Sequence, residues 1–422
     1  MVKRKQIYTL SDFMKFLFVA EYFPPYVMGG AEISLKILVD NLVKKGHEVV
    51  VLTPNYSSPK TKIDKKNNLK IIRFGSFRHF LFKKREKTSH EVYKKTKPIF
   101  YTFLNHYVRY STYELRKWVK KILKNEKFDV IHANNLESIL AVGPINTSAK
   151  KIAHLRDFGL FCYNRGLNKS GGLCEGCSLN NLNACMGTEG TVNKILEHEM
   201  KKRINKTSVL SSFDFLIAIS NFVKEKYIDV LNVDKNKIKV IYNPISDDIV
   251  SKLSKKEARS LLNLPENKKI VLYAGSLTEE KGAHMLSDLS EKLKEHLFIV
   301  IGNGVLKELF LKKKQDNLIY LGYLSISELK DYYRAADILL VPSLWHEPFG
   351  RVVLEGAYNG CHVIGSDRGG IPEVIDWLKC GIYTKPTVEN FVKEITGYRE
   401  DVLTEQKLED YDYYEKFMEL FE

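Results

Sequence analysis

The stretch HEPFGRVVLE, His346 to Glu355, sets two carboxylates, Glu347 and Glu355, eight positions apart around a Pro-Phe-Gly turn. Gly350 reads as the start of a helix, which leaves Glu347 in the loop and Glu355 one to two turns inside. The unpaired N–H groups of such a helix start lie between the two acids and make a site for an anion. A ligand seated there by a diphosphate would offer hydroxyls to a carboxylate on each side. A nucleotide sugar, built as ribose, diphosphate and sugar, has that form. Eight helical residues span about 12 Å, the right order for this reach. A carboxylate also suits a vicinal diol, since it accepts two hydrogen bonds at once. Taken alone, the same pattern describes two surface acids stabilised by a helix dipole.

The surroundings carry the reading further. Short β-branched runs alternate with longer helical patterns along the whole chain: KFLFVA, EVVVLTP, LKIIRFG, DVIHAN, KIAHLRD and FLIAIS, then KIVLYAGSL, LFIVIGNG, LIYLGYL, DILLVPS and CHVIGSD. Strands alternating with helices predict parallel sheets, hence an α/β chain of two doubly wound, Rossmann-like domains. A length of 422 residues suits two such cores. The expected boundaries are 1–245 and 246–400, with the join near Pro244 and Pro265, and a closing helix over 401–422 that crosses back to the first domain. Ligands of such sheets sit at the carboxyl ends of the strands, so facing domains would enclose a cleft. In GGAEISLKILVDNLVKKGH, the apolar residues Ile33, Leu35, Ile37, Leu38, Leu42 and Val43 predict an amphipathic helix stopped by Gly46.

Charge narrows the partners. Residues 73–127 carry 16 Lys/Arg against 4 Asp/Glu, with aromatics interleaved as in FRHFLFKKR. Such a segment suits an anionic membrane surface or a solvated basic face. No nucleic-acid module is present, and no nucleic-acid partner is expected. Lys15 and Asp12 break the apolar start that a signal peptide needs. No apolar run approaches the roughly 20 residues that span a bilayer. A cytoplasmic location, peripheral at the inner face of the membrane, is the expectation. No Gly-rich loop ending in Lys and Ser/Thr is present for an ATP-driven reaction.

HEPFGRVVLEGAYNGCHVIGSDRGGIPEVI resembles the signature region of the retaining glycosyltransferases of family 4, which have the two-domain GT-B fold. AEYFPPYVMGGAEISLKILVDNLVKKGHEVVVLTP resembles their N-terminal Gly-Gly loop and first helix, and DVIHANN, FLIAISNFVKE, VIYNP, AGSLTEEKG, VIGNG and ADILLVPS follow in the family's order. The resemblance implies transfer from a UDP- or GDP-sugar to a lipid-linked or glycan acceptor, with retention and no obligatory metal. It implies that Glu355 holds the donor ribose and Glu347 the transferred sugar, with the backbone of Phe349 and Gly350 nearby. Lys281 would neutralise the leaving diphosphate. Gly29 and Gly30 would let the N-terminal loop approach the diphosphate and acceptor, and Gly322 and Tyr323 would lie near the base.

Three departures stand out. Ser276 occupies a place where the family usually has Arg. Arg156 replaces a His ahead of Asp157, and an Arg cannot serve as a base at ordinary pH. It would either restore positive charge near the phosphates or pair with Asp157. These two changes keep open a catalytically inactive nucleotide-sugar-binding or scaffold protein. The third is the insertion-like stretch 162–185, with Cys162, Cys174, Cys177 and Cys185. That spacing fits a structural zinc knuckle, an iron–sulfur cluster, or unligated or disulfide-linked thiols. Cys361, Cys380 and His154 read as core residues, and His132 as either a core or a cleft residue.

Overall fold

In a computed structural model of the chain, residues 13–27, 29–77, 79, 97–163, 165–169, 172–174, 177–186, 190–312, 315–399 and 412–422 are described. Most of the basic, aromatic run 77–96 and the segment 400–411 that leads into the closing helix lie outside them.

Strands β1 (Lys15–Val19), β2 (Glu48–Asn55), β3 (Lys62–Lys66), β4 (Leu69–Gly75), β5 (Val130–Ala133), β6 (Lys150–Leu155), β7 (Phe215–Ala218) and β8 (Ile238–Val240) form one sheet. Its order is β8-β7-β6-β5-β1-β2-β4-β3, parallel except for β3, which returns along β4. Strands β9 (Ile270–Ala274), β10 (Leu297–Ile301), β11 (Leu318–Gly322), β12 (Ile338–Val341), β13 (His362–Ser366) and β14 (Gly381–Thr384) form a second, wholly parallel sheet ordered β11-β10-β9-β12-β13-β14. This is the doubly wound order, with a topological switch point between β9 and β12. The strands are apolar because both faces are covered: Phe16 to Val19 are wholly buried.

The helices include α1 (Gly30–Lys44), α2 (Lys97–Leu123), α3 (Asn221–Leu231), α4 (Ile326–Ala335), α5 (Arg351–Tyr358) and α6 (Ile371–Leu378), with α7 (Tyr413–Met418) near the end of the chain. Helix α1 buries Leu35, Leu38, Val39 and Leu42, and ends at Gly46 with φ +97°. An L side chain is disfavoured in that left-handed conformation, so glycine makes the stop. Helix α7 packs against α1 and the first sheet, with Tyr413, Tyr414 and Phe417 in one core with Phe16, Phe18 and Leu38. His47 Nε2 and the Tyr414 hydroxyl are 2.9 Å apart.

The two sheets meet across polar contacts. Glu373 on α6 caps the start of α3, accepting from the backbone N–H of Asn221 at 2.7 Å and of Phe222 at 3.2 Å. Ser220 donates to the carbonyl of Pro348 at 2.6 Å. The connecting residues Asn243 and Pro244 are gripped from both sides. Arg156 Nη1 donates to Asn243 Oδ1 at 2.7 Å, and Arg351 Nη1 donates to the Pro244 carbonyl at 3.0 Å.

Candidate active site

The loops that follow β9 and β12 are stitched together at the switch point. Gly282 has φ +72°, and a Cβ there would lie 2.0 Å from the carbonyl oxygen of Pro342. The backbone N–H groups of Leu344 and Trp345 both donate to the Glu280 carbonyl, at 2.8 and 3.1 Å. This seam brings Lys281 and Glu347, 66 positions apart, into an ion pair. Ser343 Oγ donates to the same Glu347 oxygen at 3.0 Å, and Lys281 Nζ lies 4.6 Å from the centre of the Trp345 ring. The loop after β13 fixes the Glu347 backbone: Gly370 N–H donates to its carbonyl at 2.7 Å. Gly369, with φ +64°, packs so closely that a Cβ would stand 2.2 Å from that oxygen.

Gly350, with φ +86°, turns the chain into α5. Phe349 is buried, with its ring 5.8 Å from that of Tyr242. One turn into the helix, each oxygen of Glu355 faces a protein donor. The Tyr333 hydroxyl on α4 donates to Oε2 at 3.1 Å, and Arg351 Nε lies 2.9 Å from Oε1. Burial pushes the Glu355 carboxyl above its ordinary pKa, and the charge of Arg351 and the Tyr333 hydroxyl pull it partly back. A carboxylate has about four acceptor sites. The hydrogen bond from Tyr333 and the ion contact with Arg351 therefore orient Glu355 and leave capacity for a diol. His346, stacked on Phe222 of α3 at 5.7 Å, is pushed down to about 4 by burial and is neutral at ordinary pH.

On the facing domain, Gly29 N–H donates to Glu32 Oε2 at 2.9 Å and closes the start of α1. A Cβ on Gly29 would meet nothing within 4 Å, whereas one on Gly30 would lie 2.7 Å from Cδ of Arg351. The need for glycine at 30 is thus set by an arginine of the opposite domain. Arg156 is buried and held by the side-chain oxygens of Asn134, at 3.1 and 3.2 Å, and Asn243. Of the two roles open to Arg156, the pairing with Asp157 is not made. Asp157 instead meets Arg165 Nη1 at 3.2 Å, and Arg165 Nη2 reaches Glu137 at 3.1 Å. Burial lowers the pKa of Arg165, but Asp157 and Glu137 more than offset this and hold it above the usual value. His132 and His154 are fully buried, 3.1 Å apart across neighbouring strands, so His132 fills the sheet.

Ser276 is exposed after β9 and its carbonyl accepts from the Tyr273 hydroxyl at 2.7 Å. Gly322, with φ +72°, and Tyr323, 78% exposed, end β11 at the rim of the second sheet. Among the described residues, no group of three or more His, Cys, Asp or Glu is arranged to hold a metal ion. Cys162 lies in the main core, while Cys177 and Cys185 pack on a small cluster of Tyr163, Leu182, Leu196 and Met200. Cys361 and Cys380 are buried core residues. Sequence reasoning passed over Ser343, Trp345, Tyr333, Gly369 and Arg351. Only Arg351 left a direct signal, the i, i+4 spacing to Glu355 on one helix face.

Residues 254–415 match the family model of glycosyl transferases group 1, and residues 28–155 match that of glycosyltransferase family 4. The chain belongs to the family 4 glycosyltransferases. It is 25% identical over 425 residues to an uncharacterized glycosyltransferase of Methanocaldococcus jannaschii, covering 95% of this chain and 94% of that one. Among solved structures, sucrose-phosphate synthase from Thermosynechococcus elongatus superposes with a TM-score of 0.66 at 17% identity, over 97% of this chain and 95% of the other. The Anabaena protein HepE, solved in complex with UDP-glucose, superposes with a TM-score of 0.57 at 18% identity, over 97% and 96% of the two chains. These likenesses give the GT-B fold. As a family 4 member, the protein is a glycosyltransferase.

Proposed function

We propose that this glycosyltransferase moves a sugar from a UDP- or GDP-sugar to an acceptor hydroxyl, with retention of anomeric configuration. The observation that carries the reading is the Lys281–Glu347 pair at the switch point of the second sheet, beside the start of α5. Three partners are needed to hold a nucleotide sugar, and the site supplies a candidate for each. Glu355, held by Tyr333 and Arg351, accepts the ribose diol. The start of α5 and Lys281 hold the diphosphate, where negative charge grows as the sugar departs. Glu347 accepts hydroxyls of the sugar. Its bond from Ser343 and the packing of Gly369 fix its position before substrate arrives. The UDP-glucose complex of HepE supports a nucleotide-sugar donor.

The acceptor reading places a lipid-linked or glycan hydroxyl on the first domain, with the basic stretch 73–127 against an anionic membrane surface. Among the described residues, no helix is long and apolar enough to cross a membrane. A Cβ on Gly29 would meet nothing within 4 Å, which is compatible with an acceptor beside α1. The test is a panel of UDP- and GDP-sugars offered with lipid-linked and free glycan acceptors, with product anomers read by NMR. Transfer from one donor with the anomeric configuration kept is expected. An inverted product would refute the retaining reading, and transfer only from a non-nucleotide donor would refute the donor reading.

A further inference from the structure

Arg351 does more than pair with Glu355. Its Nη1 donates to Ser34 Oγ at 3.0 Å and to the Pro244 carbonyl at 3.0 Å, while Nε stands 2.9 Å from Glu355 Oε1. The Nε–Oε1 approach is an ion contact, not an aligned hydrogen bond, so it costs Oε1 little of its capacity for a ligand. Ser34 lies on α1, one turn beyond Gly30, and Ser34 Oγ itself donates to the Gly30 carbonyl at 3.0 Å. The stem of Arg351 lies against Gly30, which has no side chain to obstruct it. One side chain thus touches the candidate ribose carboxylate, the connection between the domains, and the first turn of the helix that carries the Gly-Gly loop.

We infer that Arg351 is a positioning residue that couples the donor-ribose site on Glu355 to the docking of α1 and its glycine loop. This rests on the reading of Glu355 as the ribose acceptor. An arginine suits the task because its planar fork makes several directed contacts at once, which an ammonium cannot reproduce. When Arg351 is in place, Glu355 is oriented and α1 is latched across the cleft. When it is lost, the carboxylate is free to turn and the two domains lose a polar tie. The groups facing Glu355 are Arg351 on its own helix and Tyr333 on α4.

The test titrates UDP and GDP into the full-length wild type, E355A, R351M, R351K and S34A between pH 5 and 8, with scattering measured with and without nucleotide. R351M should weaken the bound nucleotide about tenfold or more. It should also move the loss of binding on acidification to higher pH, because removing a cation beside Glu355 raises its pKa. R351K, which keeps the charge, should restore the pH midpoint while failing to hold the compact form. S34A, which removes the Arg351 tie to α1 and leaves Arg351 beside Glu355, should weaken nucleotide binding, though less than R351M does, and should be less compact than wild type with nucleotide present. Wild-type affinity, pH midpoint and compaction in R351M would overturn the coupling. So would an S34A protein as compact as wild type. Unchanged binding in E355A, or no binding of either nucleotide by the wild type, would instead remove the ribose reading on which the coupling stands. Thermal unfolding of each variant separates these results from misfolding, and R351K carries the test if R351M does not fold.

Discussion

Replacing Glu347 by Gln should separate nucleotide binding from turnover in opposite directions. Lys281 is paired with Glu347 in the structure, so a diphosphate must draw Lys281 from that carboxylate or share it. Two unit charges 4 Å apart interact by about 4 kcal/mol at an effective dielectric of 20. Lys281 is 29% exposed and Glu347 11% exposed, so solvent screening leaves a net value nearer 1 kcal/mol. Gln keeps the shape and the bond from Ser343 but gives Lys281 up to the diphosphate. Bare UDP or GDP should then bind roughly 5- to 10-fold more tightly, about 1–1.4 kcal/mol. Turnover should fall about 100-fold or more, since a contact to the transferred sugar weakens at the reacting centre. Calorimetry of the bare nucleotide and steady-state transfer read the two arms. Weaker nucleotide binding in E347Q would refute the competition argument, because it would mean that the carboxylate itself supports the diphosphate end.

Other outcomes follow from the same geometry. Gly369→Ala sets a Cβ 2.2 Å from the Glu347 carbonyl at φ +64°, so transfer should be lost and the fold destabilised by at least about 1–2 kcal/mol, read by urea unfolding. Nucleotide affinity should be full above the raised pKa of Glu355 and decline as pH falls through it, in a window above the ordinary value of 4.5. A midpoint at or below that value would contradict the burial assigned to the carboxyl. Phe417→Ala removes a fully buried ring that packs 6.1 Å from Phe16, and should cost about 3–5 kcal/mol of stability of the first domain by denaturant unfolding.

The strands were legible because apolar, β-branched runs buried on both faces leave a strong and simple pattern, as in KFLFVA and DILLVPS. The edge strands β3, β8 and β14 were not, since KIDKK, IKV and GIYT are largely exposed or half-buried and carry no continuous apolar run. The acids of the quoted stretch were legible as a pair. Their partners were not, because Lys281, Ser343 and Tyr333 reach them from separate loops and helices that only the folded sheet brings together. Arg156 shows the reverse case. Sequence adjacency suggested Asp157, but residues beside one another in an extended chain point to opposite faces, and the guanidinium found Asn134 and Asn243 instead. Gly30 was legible as a close approach, though what approaches it is Arg351.

The central claim is that Glu355 holds the ribose of a nucleotide donor, and calorimetric titration of UDP and GDP into wild type and Glu355→Ala tests it most directly. Hydrogen bonds to a charged group contribute about 1.5–3 kcal/mol. Losing one or both from the diol should weaken the preferred nucleotide by at least about 10-fold, and toward 100-fold or more if both are lost. One nucleotide bound by the wild type and weakened to that extent in the variant is the expected result. Equal binding by both proteins would contradict the account and require the ribose to lie elsewhere in the cleft.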